Sequence, residues 1–168
     1  QIMHDPMAMR PFMGYNFGRY LQHWLSLKDD ATHQLPKVFH VNWFRLDEQS
    51  GKFLWPGFGE NIRVLEWICR RVDGEDIAEE SPIGLLPAEG SLNISGLEDV
   101  DMKQLLSVPK QYWQEDMQET WTFLQQQVGM DLPQAIAEQV QQQIQRVQAI
   151  PEQNTSSVQS EHLSKHEQ

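Results

Sequence analysis

Residues 42–61 read N-W-F-R-L-D-E-Q-S-G-K-F-L-W-P-G-F-G-E-N. Five of the chain's thirteen Trp and Phe residues fall in these twenty positions, together with three glycines and one proline. A core segment spaces its apolar residues at period 2 or 3.6 and leaves Gly and Pro to its ends. Here the rings sit on turn chemistry instead. Gly51 and the Pro56-Gly57 pair permit tight backbone conformations that other residues resist. Such a loop can present flat rings at a surface, where a planar ligand stacks on them. On the pattern alone, a structural hairpin whose rings fill a core is equally open. Asn61 closes the run with an amide that offers both a donor and an acceptor. Rings and an amide are the parts needed to hold and read a nucleobase.

Outward from this loop, the chain alternates helical stripes with turn-rich stretches. Pro6 and Pro11 keep the first dozen residues irregular. A helix is predicted over 16–27, with Phe17, Tyr20, Leu21, Trp24 and Leu25 on one face. Residues 38–44 read as a strand, rich in β-branched and aromatic side chains, and 52–55 as its hairpin partner. A second helix is predicted over 60–72, with Leu65, Ile68, Cys69 and Val72 as its apolar stripe. The acidic stretch 73–81 reads as solvent-exposed, 83–86 as a short strand, and 100–106 as a short helix. Two longer helices follow. Pro109 opens the first, with Trp113, Met117, Trp121, Leu124 and Val128 in line. Asp131 and Pro133 open the second, with Ile136, Val140, Ile144 and Val147 in line. Residues 151–168 are polar, rich in Gln and Ser, and read as a disordered tail.

The 168 residues suit about one domain. Residues 1–72 carry nine Lys or Arg and seven Asp or Glu, a net of +2; the remainder carries four and seventeen, a net of −13. An acidic chain without a basic stripe argues against DNA or RNA as partner, because phosphate backbones need clustered cations. A mononucleotide needs only a few local contacts. No run of 18 apolar residues occurs, so no membrane span is expected. The single cysteine, Cys69, allows no internal disulfide. Its place on a helical stripe predicts a buried, inert thiol. The N-terminus lacks the features of a signal peptide and runs without an initiator Met straight into dense motifs, as expected of a piece of a longer protein.

Residues 42–61 resemble the guanine-binding loop of GTP-dependent phosphoenolpyruvate carboxykinases. The same family resemblance extends to A-M-R-P-F-M-G-Y-N-F-G at 8–18, F-H-V-N-W-F at 39–44 and R-V-L-E-W at 63–67. It continues more loosely, through S-P-I-G at 81–84, to about residue 150. It implies an α/β fold class, mixed α+β in a fragment such as this. Residues 1–150 would form the C-terminal part of the nucleotide-binding domain, with a β-hairpin, a nucleotide loop and several packed helices. It further implies that Phe44, Phe53 and Phe58 hold guanine between rings, with Trp43 close by, and that the Asn61 amide contacts the base edge. Gly57 and Gly59 would allow close backbone approach, and the contact run Phe58, Gly59, Glu60 and Asn61 would complete the nucleotide site.

By the same resemblance the parent enzyme takes GTP or GDP and oxaloacetate or phosphoenolpyruvate, uses Mn2+ and Mg2+, works in the cytoplasm (a mitochondrial form being the alternative), and is a monomer. Its catalytic residues, phosphate loop and metal ligands lie upstream, so none is assigned within this chain. The competing reading is a stand-alone, non-enzymatic aromatic-loop module for a nucleotide, sugar or peptide; upstream sequence discriminates the two.

Other motifs are weak. The only Gly-Lys pair, Gly51-Lys52, lacks the upstream glycine and following Ser or Thr of a phosphate-binding loop. His162 and His166 stand four apart, but in the predicted tail, where solvated histidines are the better reading. His4, His23, His33 and His40 show no metal-ligand spacing. Arg10, in M-R-P-F, has the length to reach toward an active site; a surface or structural ion pair is an equal reading, and it is not assigned as catalytic.

Overall fold

The computed structural model describes residues 4, 5, 8–32 and 34–152. Helix α1, Phe17–Ser26, starts where the Asn16 side chain accepts a hydrogen bond from the Gly18 N–H at 2.7 Å. This cap satisfies one of the donors that a helix start leaves unpaired. Helix α2, Asn61–Val72, grows directly out of a 3-10 turn, Phe58–Glu60, and ends with Arg70 and Arg71 in its last turn, where cations suit the helix dipole. Strands β1, Ala78–Ser81, and β2, Gly84–Pro87, form an antiparallel hairpin in register Ala78↔Pro87 to Ser81↔Gly84. The short helix α3, Met102–Leu105, is capped by Asp101, which accepts from the backbone N–H groups of Lys103 and Gln104. Helices α4, Lys110–Gln127, and α5, Gln134–Gln148, each follow a proline, Pro109 and Pro133. The outcome is the mixed α/β architecture expected from the resemblance.

Two apolar cores hold these elements. The first joins α1 to α4 and α5: Phe17, Leu21, Leu124 and Val128 are buried, with Tyr20, Phe123, Ile136 and Val140 packed around them. Of the predicted stripes, Phe17, Tyr20 and Leu21 of α1, Leu124 and Val128 at the end of α4, and Ile136 and Val140 of α5 meet in this core, whereas Trp24 of α1 is exposed. The second core lies under the aromatic loop. Trp55, Trp67 and Leu92 are buried there, with Phe39, Trp43, Val64, Ile68 and Ile77 against them. Helix α5 also reaches the β-hairpin, where the Gln143 amide and the Arg146 Nε both donate to the Pro82 carbonyl.

Three expectations are corrected. Residues 38–44 form no strand; a strand needs a ladder partner, and among the described residues none runs alongside this stretch. The predicted pairing with 52–55 shrinks to a single bridge, Leu46↔Phe53. The hairpin forms instead at 78–87. Its first strand, A-E-E-S, has low intrinsic strand preference and falls within the acidic stretch 73–81 expected to be solvent-exposed. Finally, Cys69 is exposed rather than buried. Helix α2 turns Val64, Trp67 and Ile68 inward, while Leu65 and Val72 stand out at 47% and 51% exposure. Both stripes share Ile68; the large apolar indole of Trp67 selects which one is buried. The predicted tail lies, apart from Pro151 and Glu152, outside the described residues, as do His162 and His166.

Gly18 marks the tightest approach between elements. A Cβ built there would stand 2.1 Å from the Asp131 carbonyl oxygen and 2.8 Å from Val128 Cγ1. A backbone atom cannot step aside as a flexible side chain does, so α1 and the 3-10 turn Gly129–Asp131 fit only around glycine. Alanine in a helix gains up to about 1 kcal/mol over glycine in propensity, whereas overpacking costs about 1–3 kcal/mol or more. Gly18→Ala is therefore expected to lower the stability of the full-length protein, by chemical or thermal denaturation. Gly14→Ala, with nothing within 4 Å of the added methyl, is expected to leave it unchanged. Equal stability for the two variants would refute the packing described.

Candidate functional site

The aromatic loop is built on a short, well-anchored turn. Leu54 N–H donates to the Arg45 carbonyl at 2.9 Å, Asp47 N–H to the Lys52 carbonyl at 2.8 Å, and Gly51 N–H to the Asp47 carbonyl at 2.9 Å. Gly51 adopts φ +67°, in the left-handed region that glycine enters without penalty. The Asp47 carboxylate accepts from the Ser50 N–H at 2.6 Å and from the Gln104 amide. Hydrogen bonds from Ser50, and then from Gln104, hold this exposed carboxyl below its ordinary pKa. The Arg45 guanidinium clamps the base of the loop to the end of α3 and the segment after it. It donates to the Leu105 carbonyl at 2.8 Å, the Ser107 carbonyl at 2.9 Å and the Ser107 hydroxyl at 2.7 Å.

On this base, three phenylalanines stand outward. Phe44, Phe53 and Phe58 are 73%, 61% and 93% exposed. Phe44 and Phe53 come together edge-on, with ring centroids 6.0 Å apart at 63°. Phe58 sits on the 3-10 turn just before α2 and, among the described residues, makes no ring contact. Trp43 is half-buried and packs against the Trp55–Trp67–Leu92 core, so it supports the loop from beneath. Apolar rings this exposed on a clamped turn are what a stacking surface requires.

The end of the loop is equally defined. Gly57 takes φ +115° and ψ −163°, a combination closed to residues with a Cβ, and its carbonyl accepts from the Glu60 N–H at 3.0 Å. No atom lies within 4 Å of where a Cβ would stand at Gly57 or Gly59, so the backbone here is open to approach. The Glu60 carboxylate is taken up by Arg63 Nε at 2.6 Å, and Arg63 in turn donates to the Asn93 carbonyl at 3.0 Å. Glu60 thus anchors the start of α2. Asn61 is the first residue of α2, and its Oδ1 accepts from the Trp55 indole N–H at 2.8 Å. Trp55 itself is 4% exposed. The eight residues expected at the site therefore divide: Phe44 and Phe53 meet, Phe58 and Asn61 sit on consecutive elements, Gly57 and Gly59 leave open backbone, and Trp43 and Glu60 are engaged in support. Trp55 was not singled out from the sequence, because nothing in a string of residues says which aromatic ring will turn its N–H toward Asn61.

Elsewhere, among the described residues, no three His, Cys, Asp or Glu side chains gather as a metal site. The described residues therefore do not offer a donor set for a divalent cation. Arg10 lies over the Phe123 ring, 5.6 Å from its centroid, and donates to the Gln127 amide oxygen, which ties it to α4. An open hollow of about 620 Å³ borders α4, lined by His4, Glu119, Thr122, Phe123 and neighbouring glutamines and by none of the loop residues. His4 contacts the Glu119 carboxylate and the Thr120 hydroxyl, both at 3.1 Å. Nearby Asp116 has its pKa raised, first by burial. No helix among the described residues is long and apolar enough to cross a membrane.

Residues 1–146 match the family model described as the phosphoenolpyruvate carboxykinase C-terminal P-loop domain. The chain is 57% identical over 147 residues to the mitochondrial phosphoenolpyruvate carboxykinase (GTP) of Mus musculus, covering 88% of this chain and 23% of that protein. It is 56% identical over 153 residues to the phosphoenolpyruvate carboxykinase (GTP) of Ascaris suum, covering 90% and 24%. To the cytosolic enzyme of Bos taurus it is 55% identical over 139 residues, covering 83% and 22%. The chain thus spans less than a quarter of the length of these relatives. Agreement of this extent across the aromatic loop, both cores and the late helices makes the chain a member of the GTP-dependent phosphoenolpyruvate carboxykinase family, within its C-terminal P-loop domain.

Proposed function

We propose that the full-length protein carrying this segment is a GTP-dependent phosphoenolpyruvate carboxykinase. It converts oxaloacetate and GTP to phosphoenolpyruvate, GDP and carbon dioxide, runs the reverse reaction, and serves gluconeogenesis. The match of residues 1–146 to that family carries this reading; nothing in the matches favours a stand-alone binding module. Relatives named as mitochondrial and as cytosolic both match. The proposed location is the cytoplasm, with the mitochondrial form as the alternative, and the proposed state is a monomer.

Within that enzyme, this segment supplies the wall that recognises guanine. Phe44, Phe53 and Phe58 provide stacking faces, and Asn61 reads the base edge. The exposure of the three rings supports this, as does the open backbone at Gly57 and Gly59. Stacking cannot separate guanine from adenine, because every base has a π-face. Discrimination falls to the polar edge contact, where a mismatched buried group is costly. Manganese, with magnesium on the nucleotide, belongs to ligands outside this segment, and this chain's own residues act on the base. The outward face of α2, with Ile62, Leu65 and Val72 exposed, suits contact with the remainder of a longer chain.

Two outcomes test this reading. In the full-length protein, Phe58→Ala is expected to weaken GDP and IDP alike by about 1–3 kcal/mol, the usual worth of one base–aromatic stack. Because Phe58 is 93% exposed, its loss should leave thermal stability intact. Unchanged nucleotide affinity, measured by titration calorimetry, would remove Phe58 from the site. The 168-residue chain alone is expected to show no carboxykinase activity, since its sequence holds no phosphate-binding loop and phosphoryl transfer depends on positioned phosphates and charge. Turnover of oxaloacetate to phosphoenolpyruvate by the isolated chain would contradict the division of labour proposed.

A further inference from the structure

An indole N–H can only donate, whereas a carboxamide has one accepting end and one donating end. The 2.8 Å contact between Trp55 Nε1 and the Asn61 side chain therefore fixes which end is which: the oxygen faces Trp55, and Nδ2 faces away. This holds whatever orientation is assigned to the amide, since turning it over would set two donors against each other. Among the described residues no group accepts from Asn61 Nδ2. The side chain thus turns its donor away from Trp55 at the start of α2, which follows directly on the turn that carries Phe58 and the open backbone of Gly57 and Gly59.

Guanine carries an acceptor, O6, where adenine carries a donating amine. We propose that Trp55 sets the base specificity of this site by locking the Asn61 amide with its donor toward the ligand. The proposal rests on Asn61 being the base reader. Adenine could be accommodated only if the amide flipped, and the flip would strand the Trp55 N–H inside a core where the indole is 4% exposed. A buried donor left unmade is costly, so the penalty against adenine is levied from the protein core rather than at the ligand. Trp55 acts through Asn61 and is a positioning residue. It is distinguished from a merely structural tryptophan by what its N–H does, independent of what its ring fills.

The test is a double-mutant cycle in the full-length protein, reading the affinities for GDP, IDP and ADP in the parent, Trp55→Phe, Asn61→Ala and the double variant. Trp55→Phe keeps an aromatic ring but deletes the donor and frees the amide to turn. The GDP-to-ADP affinity ratio is expected to fall by about three- to tenfold, the effect of one hydrogen bond. IDP, which shares O6 with GDP, should follow GDP. In an Asn61→Ala background, Trp55→Phe should change the ratio no further. If the smaller ring prevents folding, site-specific replacement of Trp55 by benzothienylalanine, in which sulfur takes the place of the N–H, makes the same deletion with the ring volume kept. Loss of affinity for all three nucleotides in equal proportion would mark Trp55 as structural and overturn the proposal. So would an unchanged ratio in Trp55→Phe beside a reduced ratio in Asn61→Ala, and in that case Asn61 stands as the reader. An unchanged ratio in Asn61→Ala would instead overturn the assignment of Asn61 itself.

Discussion

Two buried indoles must each find an acceptor for one N–H, and the aromatic-loop half of the molecule is arranged around that requirement. Trp55 and Trp67 are 4% and 6% exposed, and a buried indole without a partner for its N–H is disfavoured. Trp67 donates to the Ile77 carbonyl at 3.2 Å and to the Ser91 hydroxyl at 3.0 Å. That ties α2 to the entry of the β-hairpin and to the loop carrying Leu92. Trp55 donates to Asn61 and ties the aromatic loop to the start of α2. Removing a buried Trp side chain typically costs about 3–5 kcal/mol, several times a single net hydrogen bond at about 0.5–1.5 kcal/mol. The indoles therefore decide where the loop ends, and the surface hydrogen bonds refine it.

With Trp55 and Trp43 held by the core, the remaining rings of the loop stay outside it, Phe44 and Phe53 meeting each other edge-on. Phe44, Phe53 and Phe58 stay outside because the backbone beneath them is already committed. Arg45 clamps the entry to Leu105 and Ser107. Gly51 and Gly57 take conformations that other residues resist, and Arg63 holds Glu60. Apolar rings held outward on such a frame suit the stacking role proposed for them. The same frame that places the rings also sets the polarity of the amide beside them.

Much of this was legible in the sequence. The stripes of α1, α4 and α5 were readable because a 3.6-residue period leaves a clear signature over three or more turns. Which rings of 42–61 face outward was not readable from the pattern, because Gly and Pro there suit a core-filling hairpin as well as a ring-presenting loop; Trp55 went in and Phe44, Phe53 and Phe58 stayed out. Misread elements failed for physical reasons. Residues 38–44 have strand-like side chains, but a strand exists only with a partner, and partners are not local. The helix over 61–72 carries two candidate stripes that share Ile68, and spacing alone could not say that Trp67 would go inward and Cys69 outward. The hairpin at 78–87 has a first strand of acidic residues with little strand preference. Least legible of all was the Trp55–Asn61 contact. Both residues were visible, but the direction of a hydrogen bond belongs to the folded chain.

The central claim is that guanine is read by an amide whose orientation the core dictates. The most direct measurement is a crystal structure of the full-length protein with GDP. The expected result places guanine O6 within about 3 Å of Asn61 Nδ2, the ordinary distance for an N–H···O hydrogen bond, with Trp55 Nε1 still on Asn61 Oδ1 and Phe58 against the base. A base bound away from residues 42–61, or an Asn61 side chain released from Trp55 when guanine is bound, would contradict it.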